Sequence, residues 1–268
     1  FPNGGGTFAQ RDFSANRTIL SGDIGNAIDS TDNCFTVVDA SNLTPATLMS
    51  GFTVEEGNAD SANVFVIYGR AGGINLAATG SIRLDSVTVR NNYGKTGAGI
   101  DGRQPTNWVL RGCTFDNNSN AGAILIEGNA TGSMSNCIFT NNVGGVGGAI
   151  NLNVLTANFT FTNCTFANNR ATGGGGGGAI SGGNGGCTFT NCSFTNNTAT
   201  NGPGGAFYKF YSTLNTFNNC TFTGNRAAGG GGAIYGQGGF NLSRCEFRQN
   251  LVTTSSNHGG AMYNNGTA

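Results

Sequence analysis

Two short motifs alternate along this chain with one shared period, and that repeat constrains the fold more than any other feature. The first motif is Cys-x-Phe followed three residues later by Asn, and its six cysteines are separated by 24, 27, 28, 28 and 25 residues. The second motif is Gly-Gly-Ala followed by an apolar residue, as at 147–150 and 177–180. A repeat of this length indicates units that pack on their neighbours in an extended array.

Each repeat is expected to form short β-strands joined by glycine and asparagine turns. Phe159 and Phe161 alternate with Thr160 and Thr162, which is the period-two pattern of a strand. Glycine makes up 47 of the 268 residues and is a poor helix former. The sequence therefore predicts an all-β, single-stranded parallel β-helix with about 9–10 coils of roughly 24–30 residues. The alternative, a β-propeller, needs longer repeats of roughly 40–50 residues.

Equivalent positions of successive coils should stack into ladders. The predicted ladder residues are Cys113, Cys137, Cys164, Cys192, Cys220 and Cys245; Phe115, Phe139, Phe166, Phe194, Phe222 and Phe247; and Asn118, Asn142, Asn169, Asn197, Asn225 and Asn250. We expect the asparagines to adopt left-handed backbone angles and to hydrogen-bond along their ladder. We expect the Gly-Gly pairs to form tight corners that a Cβ atom would obstruct.

The cysteine ladder leaves two chemical states open. Neighbouring Cα atoms of stacked strands are close enough for a disulfide, but their Cβ atoms lie farther apart than a disulfide prefers. The six cysteines are therefore either buried thiols that fill the core or partners in disulfides between coils.

The repeat is less regular near the start of the chain. Residues 1–70 predict irregular first coils, with strands near 18–22, 34–38 and 48–54, and residues 71–268 predict regular coils of the same continuous solenoid. Because residue 1 is Phe and the last repeat is incomplete, we expect a segment of a longer chain, or alternatively a mature protein trimmed by proteolysis.

The charge composition excludes several classes of function. Lys and Arg number 13, Asp and Glu number 13, and the net charge is zero, which argues against a nucleic-acid-binding protein. No apolar run is long enough for a membrane-spanning helix. One histidine and no Cys-x-x-Cys pair argue against a metal cluster. No cofactor is predicted, although Glu55, Glu56 and Asp60 could hold calcium in a turn.

The acidic residues are too few for the chemistry of β-helix enzymes that cleave polysaccharides. Those enzymes need clustered carboxylates, and this chain has no acid between Glu127 and Glu246. Asp85, Asp101 and Glu127 are the remaining candidates, and the arginines near them favour a salt-bridged surface instead. We therefore predict that the chain is not an enzyme and has no catalytic residues.

An aromatic cluster at Phe207, Tyr208, Phe210 and Tyr211 is a possible contact patch. Strand alternation directs about half of these side chains outward, and an exposed tyrosine can contact a sugar or a protein. The alternative is a loop that packs on its own coil.

The combined Gly-Gly-Ala-Ile and Phe-x-x-Asn motifs resemble the repeat of chlamydial polymorphic outer-membrane proteins. Residues 10–13, 18–25 and 50–54 also resemble bacterial right-handed parallel β-helix surface proteins, and the resemblance covers nearly the whole chain. The resemblance implies a right-handed winding, secretion, and a location outside the cell or on the bacterial surface.

We therefore expect a non-enzymatic structural solenoid that serves as a stalk, an adhesin segment or a filament subunit. Its open edges would be covered by a second copy stacked end to end, or by further coils of a longer chain. Glycans or proteins of a surface are the other expected partners. The alternative is a carbohydrate-binding or polysaccharide-degrading module.

Overall fold

The computed structural model describes residues 12, 17–26, 29, 31–40, 46–60, 71–76, 80–103, 105–154, 158–211, 213–254 and 259–266. Across these residues the chain forms 33 strands and no helix. The described segments accordingly contain no helical candidate for a membrane span.

The strands form three long sheets and two short ones, and all pairings between them are parallel. Sheet I has eight strands: Ala46–Ser50, Gly80–Asp85, Pro105–Arg111, Thr131–Ser135, Phe159–Thr162, Cys187–Thr190, Asn215–Asn218 and Phe240–Ser243. Sheet II has nine: Thr18–Ser21, Phe52–Glu55, Thr88–Arg90, Thr114–Asp116, Ile138–Thr140, Thr165–Ala167, Ser193–Thr195, Thr221–Thr223 and Glu246–Arg248.

Sheet III also has nine strands: Val38–Asp39, Ile74–Leu76, Ile100–Gly102, Ile124–Gly128, Ile150–Val154, Ile180–Gly182, Phe207–Lys209, Ile234–Gly236 and Met262–Asn264. Between sheets II and III lies a short sheet of five strands: Val143–Gly144, Arg170–Ala171, Thr198–Ala199, Arg226–Ala227 and Leu251–Val252. Asn58–Ala59 and Tyr93–Gly94 pair at the corresponding place in earlier coils.

Each regular coil passes in turn through sheet I, sheet II, the short sheet and sheet III. One such coil consists of Thr131–Ser135, Ile138–Thr140, Val143–Gly144 and Ile150–Val154. The predicted all-β, right-handed parallel β-helix is confirmed.

The first coils are longer than expected. Thr18 pairs with Phe52, and Thr53 pairs with Thr88, so these coils take 34 and 35 residues instead of the predicted 24–30. Their strands keep the usual short length, so the additional residues lie in the connections between strands. Residues 61–70 of one connection fall outside the described residues.

The core consists of side-chain columns that run along the solenoid axis. Phe115, Phe139 and Phe166 stack with ring centroids 4.9 Å apart and ring planes 5° apart. A second column beneath sheet I contains Phe161, Phe189 and Phe217, and its rings meet those of the first column edge to face. Offset-stacked and edge-to-face contacts are the arrangements that aromatic pairs prefer, and both add to the free energy gained by burial.

Candidate functional site

The buried asparagine ladder lies just after sheet II, where the chain turns toward the short sheet. Asn142 Nδ2 donates to Asn169 Oδ1 and to Phe115 O, both at 3.0 Å, and the Asn142 backbone N–H donates to the same Oδ1 at 3.2 Å. Asn118, Asn169, Asn197 and Asn225 repeat this pattern with no exposed area, and Asn92 extends the column toward the start of the chain. The half-buried Asn250 accepts the last of these bonds.

The residues with left-handed backbone angles are not the ones we predicted. They precede the ladder asparagines by one position, at Asn117, Asn141, Asn168 and Asn196, with φ between 52° and 57°. The left-handed residue is exposed and turns the chain, so that the next side chain points into the core. The six ladder asparagines therefore supply hydrogen bonds, whereas their neighbours supply the turn.

The Gly-Gly corners before sheet III require both glycines, for different reasons. The first glycine has a positive φ, for example 72° at Gly177 and 68° at Gly204. The second lies against the next coil: a Cβ atom on Gly178 would come within 1.9 Å of Gly205 O. No other residue fits these corners without a shift of the backbone.

The six ladder cysteines follow the corner between sheets I and II. Cys164 Sγ donates to Met134 O of the preceding coil at 3.4 Å and to Thr162 O at 3.5 Å. Cys113, Cys137, Cys192, Cys220 and Cys245 make similar contacts, and all eight cysteines are free thiols in this structure. Five ladder thiols are buried, and Cys245 is half-buried.

The acidic candidates for catalysis are held by arginines. Asp101 is fully buried; it accepts from Thr96 Oγ1 at 2.8 Å and from Arg103 Nε at 3.1 Å. Arg103 Nη1 also contacts Glu127 Oε2 at 3.2 Å. Burial raises the pKa of Asp101, although Arg103 and Thr96 oppose the shift. One arginine therefore contacts both carboxylates.

The third acidic candidate lies elsewhere, because Asp85 is on sheet I and pairs with Arg83 at 2.6 Å.

The acids proposed for calcium also contact cations or hydroxyls. Glu55 pairs with Arg90 at 2.5 Å, Asp60 lies 3.8 Å from Lys95, and Ser21 Oγ donates to Glu56 at 3.3 Å. Among the described residues, no group of three or more His, Cys, Asp and Glu side chains could hold a metal ion.

The predicted aromatic patch divides between the core and the surface. Phe207 is fully buried and packs edge to face against Phe189 and Phe217, so it does not belong to the surface. Phe210 and Tyr211 are each about half exposed, at 49% and 48%, and contact each other. Tyr208 begins a half-exposed tyrosine column on sheet III, with Tyr235 and Tyr263 above it.

Sequence reasoning missed a buried lysine in the same strand. Lys209 has no exposed area, and its Nζ donates to the carbonyl oxygens of Gly183 and Gly185. Burial lowers the pKa of Lys209 and raises the pKa of the nearby Cys187 to about 11. The alternation from Phe207 places Lys209 at an inward position, which is the signal that could have identified it.

The last described coil leaves part of its interior uncovered. Phe240, Phe247 and Met262 are inward-facing yet only partly buried, and Leu242 is 40% exposed. In the first described coil, Leu20 and Val38 are likewise inward-facing and partly buried. Both ends of the described solenoid therefore present apolar core positions at a sheet edge.

One family model matches this chain. The model of the right-handed β-helix region matches residues 10–166 and 147–268. Comparison with curated proteins and with solved structures gives no match.

Proposed function

The chain belongs to the right-handed β-helix family, and from this premise we propose a non-enzymatic, extracellular structural solenoid that stacks end to end. The incompletely covered interior of the last described coil is the observation that carries the proposal. Either a second copy or further coils of a longer chain would cover it. The last strand of sheet II also leaves one edge of backbone N–H and C=O groups without a strand partner in the described structure. A parallel strand added there would satisfy both the apolar and the polar groups.

A second copy of the chain fits this edge. The inward column of sheet II begins at Leu20 and ends at Phe247, and that of sheet III begins at Val38 and ends at Met262. Stacking the first coil of one copy on the last coil of another would place Leu20 on Phe247 and Val38 on Met262. Such contacts are heterologous and open, so they generate filaments.

The surface chemistry supports a structural role. Two of the acidic candidates, Asp101 and Glu127, are both engaged by Arg103. The repeat also resembles that of polymorphic outer-membrane proteins, which supports a cell-surface stalk, adhesin segment or filament. Release of reducing sugar from polysaccharide substrates by the purified chain would contradict this role.

Sedimentation velocity over a dilution series tests the stacking. We expect the wild-type chain to form larger species as its concentration rises and Phe247→Lys to remain monomeric, because the lysine places a charge in the apolar contact. Leu251→Lys is the matched control: residue 251 points outward in the same coil, and Arg226 occupies its position in the coil below. A wild-type chain that stays monomeric at every concentration would overturn the proposal, as would equal assembly of the Phe247→Lys variant.

A further inference from the structure

Sheet I carries a regular array of uncharged polar side chains on its outer surface. Its centre, here called the hydroxyl lattice, consists of Thr160, Thr162, Thr188, Thr190, Thr216 and Asn218. Thr160 and Thr162 are exposed, and the other four are partly buried. Ser133 and Ser135 continue the two rows on one side, and Asn241 and Ser243 continue them on the other.

The lattice has a fixed spacing in two directions. The Phe161, Phe189 and Phe217 rings directly beneath it stack at 4.6 Å, with ring planes 9° and 6° apart, and the strand register does not shift across these coils. Along one strand, side chains two residues apart on the same face are separated by about 6.6 Å. The array is therefore periodic, and it rests on a close-packed core.

A second ladder stiffens the edge of the lattice. At the exposed corner between sheets I and II, Asn191 Nδ2 donates to Asn163 Oδ1 at 3.1 Å, and Asn219 Nδ2 donates to Asn191 Oδ1 at 2.8 Å. All three asparagines have φ near 54°. Their side chains are thus held in line beside the threonine rows.

The hydroxyl groups of the lattice remain available to a partner. Within the described structure, Thr162, Thr188 and Thr190 make no side-chain hydrogen bond. Neither row carries a charged residue from Ser133 and Ser135 to Asn241 and Ser243, and the nearest charges are Arg111 and Arg244. An uncharged partner fits this surface, because an ion or a nucleic acid would find no opposite charge on it.

The absence of aromatic side chains from the lattice argues against a sugar. Saccharide sites commonly use an aromatic ring as a stacking platform, and the half-exposed tyrosine column lies on sheet III instead. Threonine offers one hydroxyl and one methyl group at every lattice point. A periodic arrangement of such groups can hold ordered water. The water molecules hydrogen-bond to the hydroxyl groups and surround the methyl groups.

We propose that the hydroxyl lattice binds the surface of ice. The spacing of its rows along the solenoid lies close to an oxygen repeat of the ice crystal, so water held on the lattice can join the crystal. This site does not depend on end-to-end stacking, because it lies on the side of the solenoid.

The test measures thermal hysteresis and inhibition of ice recrystallisation by the purified chain. We expect both activities in the wild type and their loss in Thr188→Arg, because a long charged side chain at the centre interrupts the regular array. Thr198→Arg is the matched control in the same coil. It lies on the short sheet between Arg170 and Arg226, where arginine already occurs, and it should retain both activities.

Circular dichroism and thermal melting of both variants would show that they fold. A wild-type chain without either activity would overturn the proposal, and so would equal loss in the two variants. Retention of the wild-type chain on crystalline cellulose or chitin without any effect on ice would assign the surface to a polysaccharide instead, which also overturns the proposal.

Discussion

The asparagine ladder shows how single residues stabilise the corners of this solenoid. Each amide oxygen accepts two hydrogen bonds from the preceding coil, and each amide nitrogen donates two. The side chain thereby satisfies backbone groups that the turn removes from the sheets. A buried polar group without such partners costs about 1–3 kcal/mol.

Replacing one ladder asparagine should therefore be severely destabilising. In Asn169→Ala, the backbone N–H and Nδ2 of Asn142 lose their acceptor, and Phe139 O loses a donor. Because these buried groups are left without hydrogen bonds, we expect the free energy of unfolding to fall by about 3–5 kcal/mol. Urea unfolding measures the change. Asn168→Gly is the control, because glycine readily adopts the positive φ of that exposed position. The free energy of unfolding of this variant should stay within about 0.5 kcal/mol of the wild-type value. Equal losses in the two variants would contradict the assigned roles.

Lys209 should make stability depend on pH in the alkaline range. Its pKa is below 10.5 in the folded state because its ammonium group is buried. Between the lowered value and 10.5 the unfolded chain binds more protons at this lysine than the folded chain, so the contribution of Lys209 to the free energy of unfolding should rise with pH. Urea unfolding of wild type and Lys209→Met at several alkaline pH values measures this. As pH rises, the free energy of unfolding of wild type should increase relative to that of Lys209→Met. If the two free energies changed in parallel with pH, the effect would be refuted.

At the scale of the elements, the Gly-Gly corners determine how closely successive coils approach. Gly178 lies against the backbone of the next coil, whereas a Cβ atom on Gly145 would meet nothing within 4 Å. Gly178→Ala should therefore force the coils apart and destabilise the fold by about 3 kcal/mol or more. Gly145→Ala should be close to neutral. Thermal melting of the two variants provides the comparison, and similar melting temperatures would show that the corner tolerates a side chain.

The repeat motifs predict the strands and corners well because each motif residue contacts the equivalent residue of the neighbouring coil. Gly-Gly corners, phenylalanine columns and inward cysteines could all be placed from their spacing. The left-handed asparagines were assigned one position too late, since Phe-x-x-Asn alone does not distinguish the turn residue from the inward one. Lys209 was missed because it does not follow the repeat.

The candidate sites were less predictable than the fold. Asp85, Asp101 and Glu127 are close in sequence to arginines, but only the coil geometry shows that Arg103 joins Asp101 to Glu127 while Asp85 lies on another sheet. The threonine rows were visible only as strand alternation. Their regular spacing depends on the unbroken register of sheet I.

At the scale of the whole molecule, the stacked columns make a solenoid whose two described ends carry similar apolar positions. Each coil contacts its neighbours, so the ends are the places where packing is incomplete. The coils are held mainly by apolar columns and backbone hydrogen bonds, and few of their charged residues are buried. The proposed structural role follows from this arrangement: the same contacts that join two coils can join two copies.

Negative-stain electron microscopy of the purified wild-type chain over a dilution series would show directly whether copies stack end to end. We expect unbranched filaments of uniform width that lengthen with concentration, because each added copy presents the same open edge. Isolated short rods at every concentration would contradict end-to-end stacking.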